Sequence, residues 1–123
     1  MQKKILFIED ESALQRAMGD TLQSHGYKVV QALNGDAGIQ LAEREQPALI
    51  LLDLILPHMD GYEILSRLQA NPATKTIPVI VLTNLEGAEE IEKALSLGAR
   101  TYLVKARYTL EEVITKVKSA IGE

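Results

Sequence analysis

Hydrophobic residues occur along the chain in two alternating kinds of segment. The first is a short run of Ile, Leu and Val with little polar interruption, typical of a parallel strand covered on both faces. The second has apolar residues three or four positions apart, which indicates an amphipathic helix. The predicted strands are residues 5–8, 28–33 (the weakest), 48–52, 79–82 and 101–104.

Each predicted strand is followed by one predicted helix. Gly26 and Gly98 are expected to end the first and fourth helices. Thr109 and Glu112 have the spacing of a capping box at the start of the last helix. The segments with helical spacing are residues 14–22, 37–42, 64–68, 88–95 and 110–121.

This strand–helix order, repeated five times, predicts an α/β fold. Because crossovers between parallel strands are right-handed, the helices should cover both faces of one parallel sheet. For five strands we expect the doubly wound, flavodoxin-like order 2-1-3-4-5. A length of 123 residues fits a single domain over residues 1–123. Its site is expected at the carboxyl ends of the strands.

Composition excludes several classes of function. The chain has 13 Lys and Arg against 17 Asp and Glu, a formal charge of −4, so direct binding to nucleic acid is not expected. It contains no Cys, which excludes a thiolate nucleophile and Cys-ligated zinc and favours a cytoplasmic protein. The first apolar run stops at Glu9 after four residues, too short for a signal peptide or membrane span.

Charged and hydroxyl side chains follow four of the predicted strands. Glu9 and Asp10 follow the first strand and Asp53 the third, while Thr83 and Lys105 follow the fourth and fifth. Carboxylates that meet at one edge repel each other, by roughly 3 kcal/mol per pair at about 5 Å and an effective dielectric of about 20. Mg²⁺ and the Lys105 ammonium would offset this repulsion. The alternative is a solvated acidic loop at a helix start.

Asp53 favours a functional site over a solvated loop. It directly follows the apolar residues 49–52, where a carboxylate is costly to bury and needs a partner. The roles open to it are nucleophile, metal ligand or both. With the Thr83 hydroxyl and the Lys105 ammonium nearby, the set matches the needs of phosphoryl transfer.

The most specific motif surrounds Asp53. Residues 52–61 have the sequence LDLILPHMDG. With the acidic pair, the Thr and the Lys, this segment resembles the response-regulator receiver domain of bacterial two-component signalling, from Lys4 to about Ile121. The resemblance implies a phosphorylation-controlled switch that receives its phosphoryl group from a sensor histidine kinase or phosphotransfer protein. It implies no enzymatic activity beyond the protein's own phosphorylation and dephosphorylation.

The resemblance also implies Mg²⁺ as the cofactor. Its expected ligands are Asp10, Asp53 and the backbone carbonyl of Ile55. Glu9 is expected to bind the ion directly or through water.

Further roles follow from the same resemblance. Asp53 is the expected phosphoacceptor, Lys105 pairs with the phosphoryl group, and the Thr83 hydroxyl donates to it. Tyr102 is the expected switch residue, with an ordinary half-buried strand aromatic as the alternative. A downstream protein should dock on helix four, strand five and helix five. We expect a monomer or weak phosphorylation-dependent dimer, with no membrane partner.

Two features depart from the usual family pattern. The family usually has Pro after the Lys, in a cis peptide, whereas Ala106 stands here. A cis bond to a residue other than Pro costs about 3 kcal/mol, so we predict a trans Lys105–Ala106 peptide and a displaced loop. Ile55 and Leu85 are apolar where many relatives have polar side chains that orient the hydrolytic water, which would lengthen the phosphoryl lifetime.

Two other classes of protein on this fold require residues that this chain lacks. Haloacid-dehalogenase-type phosphatases place a second Asp two residues after the nucleophile, where this chain has Ile55. Flavodoxins need a phosphate loop rich in Ser, Thr and Gly after strand one, where residues 9–11 are acidic. A degenerate receiver acting only as a protein interaction module remains the alternative, and the intact acidic, hydroxyl and ammonium groups argue against it.

Overall fold

The computed structural model describes residues 2–123, in which strands and helices alternate. The strands are β1 (Lys4–Ile8), β2 (Lys28–Ala32), β3 (Leu49–Leu52), β4 (Val79–Thr83) and β5 (Thr101–Val104). The helices are α1 (Ser12–Ser24), α2 (Gly35–Glu45), α3 (Gly61–Ala70), α4 (Ala88–Ser96) and α5 (Leu110–Ala120). All strands pair in parallel in the order β2-β1-β3-β4-β5, which confirms the predicted fold class.

Strand bounds differ slightly from the sequence-based prediction. β2 ends at Ala32, and Leu33 beyond it is 53% exposed, because the chain leaves this edge strand to begin α2. β4 includes Thr83, which pairs with Val104 of β5. The Thr83 side chain therefore belongs to the sheet and not to the following loop.

The predicted helix signals are confirmed. Gly26 and Gly98 have φ angles of 90° and 106°, just after α1 and α4, a conformation that glycine adopts at little cost. The Thr109 side chain accepts from the Glu112 N–H at 3.1 Å, and the Glu112 carboxylate accepts from the Thr109 N–H at 2.8 Å. This capping box fixes the start of α5 just after the loop that carries Lys105.

Two hydrophobic cores lie on opposite faces of the sheet. Successive strand residues point to opposite faces, so Leu6 and Ile8 pack with α2, α3 and α4, whereas Ile5 and Phe7 pack with α1 and α5. All four are fully buried. The helices thus cover both faces, which leaves the ends of the strands open for a site. Within residues 2–123 no helix is long and apolar enough to cross a membrane.

Gly61 is expected to be essential for the close packing of the loop that follows Asp53. A Cβ atom at Gly61 would lie 2.4 Å from the Leu54 Cα. Gly61→Ala should therefore lower the free energy of unfolding by about 2 kcal/mol, measured by chemical denaturation. The control is Gly19→Ala in α1, where the nearest atom would be 3.5 Å away. A Gly61→Ala protein as stable as the control would contradict this packing.

Candidate functional site

Three carboxylates meet at the carboxyl edge of the sheet. Glu9 and Asp10 follow β1, and Asp53 follows β3. One carboxylate oxygen from each lies within 4.8 Å of the other two. Glu9 and Asp53 are 1% and 4% exposed, whereas Asp10 is exposed to solvent. Two buried acidic groups this close require a compensating cation.

Lys105 supplies part of that compensation. Its Nζ atom lies 2.6 Å from Glu9 Oε1 and 3.0 Å from Asp53 Oδ2. Burial alone would lower the pKa of Lys105, but its bonds to Glu9 and Asp53 outweigh burial and place that pKa above its ordinary value. The ammonium is therefore charged at neutral pH. The sequence predicted that the Lys105 ammonium would offset repulsion among these carboxylates, but not that it would pair directly with Glu9.

The pKa of the Glu9 carboxyl group lies above its ordinary value. Burial raises its pKa, and repulsion by Asp53 adds to the increase, while Lys105 and the backbone of Glu11 oppose it. The Glu11 N–H donates to Glu9 Oε2 at 3.1 Å. The Glu9 side chain is thus held between Lys105 and the start of α1.

Asp53 is fixed by the strand it follows and by the loop it begins. Its N–H donates to the Ile8 carbonyl of the neighbouring strand β1 at 3.0 Å. Its Oδ1 atom accepts from the Ile55 N–H at 3.1 Å, and Oδ2 faces Lys105. The loop closes where the Gly61 N–H donates to the Leu54 carbonyl at 2.9 Å. Both carboxylate oxygens are therefore oriented before any ligand binds.

An open cleft of about 420 Å³ lies over these carboxylates. Ile55, at its mouth, is 55% exposed. Asn84 and Glu11 also line the cleft. Sequence analysis placed them after strand ends but predicted no role for them. The lining residues are Glu9, Asp10, Glu11, Asp53, Ile55, Asn84 and Lys105.

Thr83 and Tyr102 lie outside this lining. Thr83 is fully buried, and its hydroxyl has no hydrogen-bond partner within residues 2–123. Tyr102 is half-buried, and its hydroxyl donates to the Leu85 carbonyl at 2.7 Å. Burial, the largest cause, raises the pKa of Tyr102 to about 12, so this donor stays protonated. Tyr102 thereby ties β5 to the loop that follows Thr83.

The structure tests one of the two predictions for the loop after β5, the geometry of its first peptide bond, while its displacement from the usual path stays a prediction. The Lys105–Ala106 peptide is trans, as predicted. Residues Lys105–Arg107 form a single 3₁₀ turn. The Arg107 guanidinium reaches Glu86 in the loop after β4 at 2.7 Å, so the two loops beside the cleft are joined at the surface.

The donor set fits a hard divalent cation. Three carboxylates face one ammonium, which leaves excess negative charge around an open cleft. Mg²⁺ is bound in proteins through one or a few carboxylate oxygens while it keeps several waters. The chemistry of these side chains therefore matches Mg²⁺ better than zinc, for which this cluster offers no His or Cys.

Asp10 gives a direct test of repulsion within the cluster. Lys105 pairs with Glu9 and Asp53 but not with Asp10. Asp10→Asn should therefore raise the free energy of unfolding in chelator by about 1 kcal/mol, once solvent screening is considered. If the cluster is a Mg²⁺ site, the ion should stabilise the wild type more than the variant, because it would bind only the folded form. Chemical denaturation with chelator or Mg²⁺ measures both effects.

The control for this test is Asp20→Asn, which removes the same charge from an exposed position on α1. It should change stability little under either condition. A loss of stability on Asp10→Asn in chelator would show that Asp10 serves the fold instead of a cation.

Sequence comparison identifies the family to which the chain belongs. Residues 5–118 match the response regulator receiver domain family. The DNA-binding dual master transcriptional regulator RpaA of Synechocystis sp. is 36% identical over 118 residues, covering 96% of this chain and 48% of that protein. Sporulation initiation phosphotransferase F of Bacillus subtilis is 32% identical, with 96% and 93% covered. The chain thus spans about half of the first relative and nearly all of the second.

Structural comparison gives the same result. The receiver domain of a sensor histidine kinase from Pseudomonas aeruginosa PAO1 superposes with a TM-score of 0.89 at 29% identity, with all of both chains covered. That crystal structure holds a magnesium ion coordinated in its active site cleft.

Proposed function

Because the chain belongs to the response-regulator receiver domain family, we propose that it is a signalling switch phosphorylated on Asp53 in a Mg²⁺-dependent reaction. One observation carries the proposal. Asp53 is a buried carboxylate that faces Lys105 at 3.0 Å and lines an open cleft with Glu9 and Asp10. Such a carboxylate is accessible to a donor phosphoryl group yet already oriented by the protein.

The proposed reaction transfers a phosphoryl group from a phosphohistidine of a kinase or phosphotransfer protein. A carboxylate oxygen of Asp53 forms a bond to phosphorus while the bond between phosphorus and the donor imidazole nitrogen breaks. The imidazole leaves with the electron pair of that bond. Positioning and neutralisation of charge on the phosphoryl oxygens provide the catalysis.

Mg²⁺ would be held by Asp10, Asp53 and the backbone carbonyl of Ile55, with Glu9 in contact directly or through water. When bound, the ion supplies positive charge that screens the carboxylates and the incoming phosphoryl oxygens. The three carboxylates within 4.8 Å support this assignment. The magnesium ion in the cleft of the Pseudomonas receiver domain supports it as well.

We propose that Lys105 pairs with the carboxylates before phosphorylation and with the phosphoryl group afterwards. Before phosphorylation its ammonium neutralises Glu9 and Asp53, at 2.6 and 3.0 Å. After transfer, the Asp53 oxygen becomes part of an acyl phosphate, and Lys105 is close enough to pair with the new phosphoryl oxygens. Its charge then favours the phosphorylated state.

Thr83 and Tyr102 are proposed to transmit the change. The buried Thr83 hydroxyl has no hydrogen-bond partner among the described residues, and it would donate a hydrogen bond to a phosphoryl oxygen on Asp53. A shift of Thr83 would move the following loop, to which Tyr102 is bonded through the Leu85 carbonyl. The output surface is then α4, β5 and α5, where Leu95 of α4 is 45% exposed and available to a downstream protein.

The relatives suggest two kinds of output for a protein that contains this receiver domain. The Synechocystis relative is a DNA-binding transcriptional regulator, but this chain covers only 48% of it. The acidic chain described here, with a formal charge of −4, is not proposed to contact DNA itself. The Bacillus relative is a phosphotransferase of nearly the same length. We propose a single receiver domain over residues 1–123 that is monomeric or forms a weak dimer when phosphorylated.

Incubation with a small phosphodonor tests the proposed reaction. With Mg²⁺, intact-mass spectrometry should show the addition of one phosphoryl group, and with chelator it should show almost none. Equal labelling with chelator would contradict the role of the metal. No labelling under either condition would instead favour a degenerate receiver that acts only through protein contacts.

A further inference from the structure

Gln15 of α1 is a buried polar residue that the proposed reaction does not use. It is 3% exposed. Its side-chain nitrogen Nε2 lies 2.9 Å from the Phe7 carbonyl oxygen, 3.0 Å from that of Glu9 and 3.1 Å from that of Ala32. These three carbonyls belong to the carboxyl ends of β1 and β2, directly beside the acidic cluster.

The hydrogen bonds from Gln15 lie at the point where β1 and β2 separate. The Glu9 N–H still donates to the Ala32 carbonyl at 3.0 Å. After Ala32 the chain leaves the sheet for Asn34, which caps α2. No loop N–H within residues 2–123 donates to the Glu9 carbonyl. The Gln15 side chain supplies the donor that a further strand residue would otherwise provide.

The Glu9 carbonyl belongs to the peptide unit that joins Glu9 to Asp10. A bond to this carbonyl fixes the plane of the peptide, and hence the direction in which the Asp10 side chain leaves the backbone. Asp10 is exposed and takes no part in the Lys105 ion pairs. Its position therefore depends on the backbone more than that of Glu9 or Asp53 does.

The orientation of the Gln15 carboxamide indicates that it acts as a hydrogen-bond donor to these carbonyls. A flipped Gln15 carboxamide would place Oε1 against three carbonyl oxygens, so the nitrogen must face them. In this orientation Oε1 is buried and lacks a partner in the described part of the chain. Since an unpaired buried acceptor is costly, the bonds from Nε2 must offset the burial of the whole group.

From these contacts we infer that Gln15 is a positioning residue for the divalent-metal site, acting through the Glu9–Asp10 peptide. The inference rests on the proposed function, because it presupposes that Asp10 binds the metal. Groups that orient metal ligands without touching the ion commonly change metal affinity by about 10- to 100-fold when replaced. Gln15 acts one peptide away from its ligand, so we expect the lower end of that range.

The test replaces the amide without changing its size. Gln15→Met should weaken Mg²⁺ binding about tenfold, measured by calorimetric titration. Phosphorylation of this variant by a small phosphodonor should be slow at low Mg²⁺ and recover to the wild-type rate at saturating Mg²⁺. Gln15→Asn keeps a polar amide but withdraws it by one methylene, and it should shift Mg²⁺ affinity in the same direction.

A matched control separates metal positioning from general stability. Thr74 is 1% exposed, and its hydroxyl donates to the Leu68 carbonyl at 2.7 Å. It precedes β4 and so lies at the opposite edge of the sheet. Thr74→Val also removes a buried donor to a backbone carbonyl, so it should lower the denaturation midpoint but leave Mg²⁺ affinity unchanged.

The outcomes distinguish the inference from the function on which it rests. Wild-type Mg²⁺ affinity in the folded Gln15 variants would overturn the inference and leave the proposed function intact. Slow phosphorylation that persists at saturating Mg²⁺ would also overturn it. If neither Gln15 variant folds while Thr74→Val does, Gln15 serves the fold alone. A wild-type protein that neither binds Mg²⁺ nor is phosphorylated would refute both.

Discussion

Asp53→Asn is expected to eliminate phosphorylation by a small phosphodonor. The amide that replaces the carboxylate is a poor nucleophile and contributes no charge to the metal site. Glu9 and Asp10 still line the cleft of the variant, and we expect neither to substitute as the acceptor. Intact-mass spectrometry with Mg²⁺ present should show a phosphorylated wild type and an unmodified variant.

The control for this experiment is Asp20→Asn, which removes an exposed carboxylate from α1. This variant should be phosphorylated to the wild-type extent. Labelling of Asp53→Asn at the wild-type level would place the acceptor elsewhere, and the proposed chemistry would then be wrong.

Lys105→Met is expected to cause a large loss of stability in the absence of Mg²⁺. The Glu9 and Asp53 side chains are 1% and 5% exposed, and Lys105 is the cation that pairs with both. Removing one partner of a buried ion pair commonly costs about 3 to 5 kcal/mol, because the remaining charge stays buried and uncompensated. We expect about 3 kcal/mol in chelator at pH 7, since the cleft admits water.

This loss should depend on pH and on Mg²⁺. Burial already raises the pKa of Glu9 while its bond to Lys105 opposes the rise, so removing Lys105 raises that pKa further. A carboxyl with a raised pKa in the folded state favours folding when protonated and loses that contribution as the pH rises through the pKa. The loss of stability in Lys105→Met should therefore become smaller as the pH falls toward the value at which Glu9 is protonated. Mg²⁺ should reduce it at pH 7.

The control is Lys4→Met. Lys4 pairs with Glu45 at 3.1 Å, but both side chains are more exposed, at 35% and 26%. Ion pairs of this kind contribute about 0 to 1 kcal/mol. A Lys105→Met protein that loses no more stability than Lys4→Met would contradict the idea that the acidic cluster depends on an internal cation.

The fold was largely predictable from the sequence because its periodicities are local. Buried parallel strands require continuous apolar runs, such as residues 49–52, and the helices require three- and four-residue spacing. The right-handed crossover rule then leaves few sheet orders. Strand bounds were less certain, since the end of β2 depends on where the chain begins α2 and not on the hydrophobicity of Leu33.

The convergence of the acidic residues with Lys105 was also predictable, because every parallel strand delivers its following residue to the same edge. Which side chains contact one another at that edge was not predictable. Whether Lys105 faces Glu9, and whether Gln15 reaches three carbonyls, depends on side-chain conformations and on distances of 2.6 to 3.1 Å. Sequence spacing carries no information at that scale. Gln15 in particular reads as an ordinary polar residue of an amphipathic helix.

Amide hydrogen exchange, read by mass spectrometry, tests most directly whether phosphorylation of Asp53 acts as a switch. The wild type would be compared with and without phosphodonor in Mg²⁺, with Asp53→Asn treated identically. We predict slower exchange in residues 84–88, as the Thr83 hydroxyl gains an acceptor, and altered exchange in α4 and β5, all confined to the phosphorylated wild type. A wild type that gains a phosphoryl group but shows unchanged exchange in these segments would contradict the proposed switch.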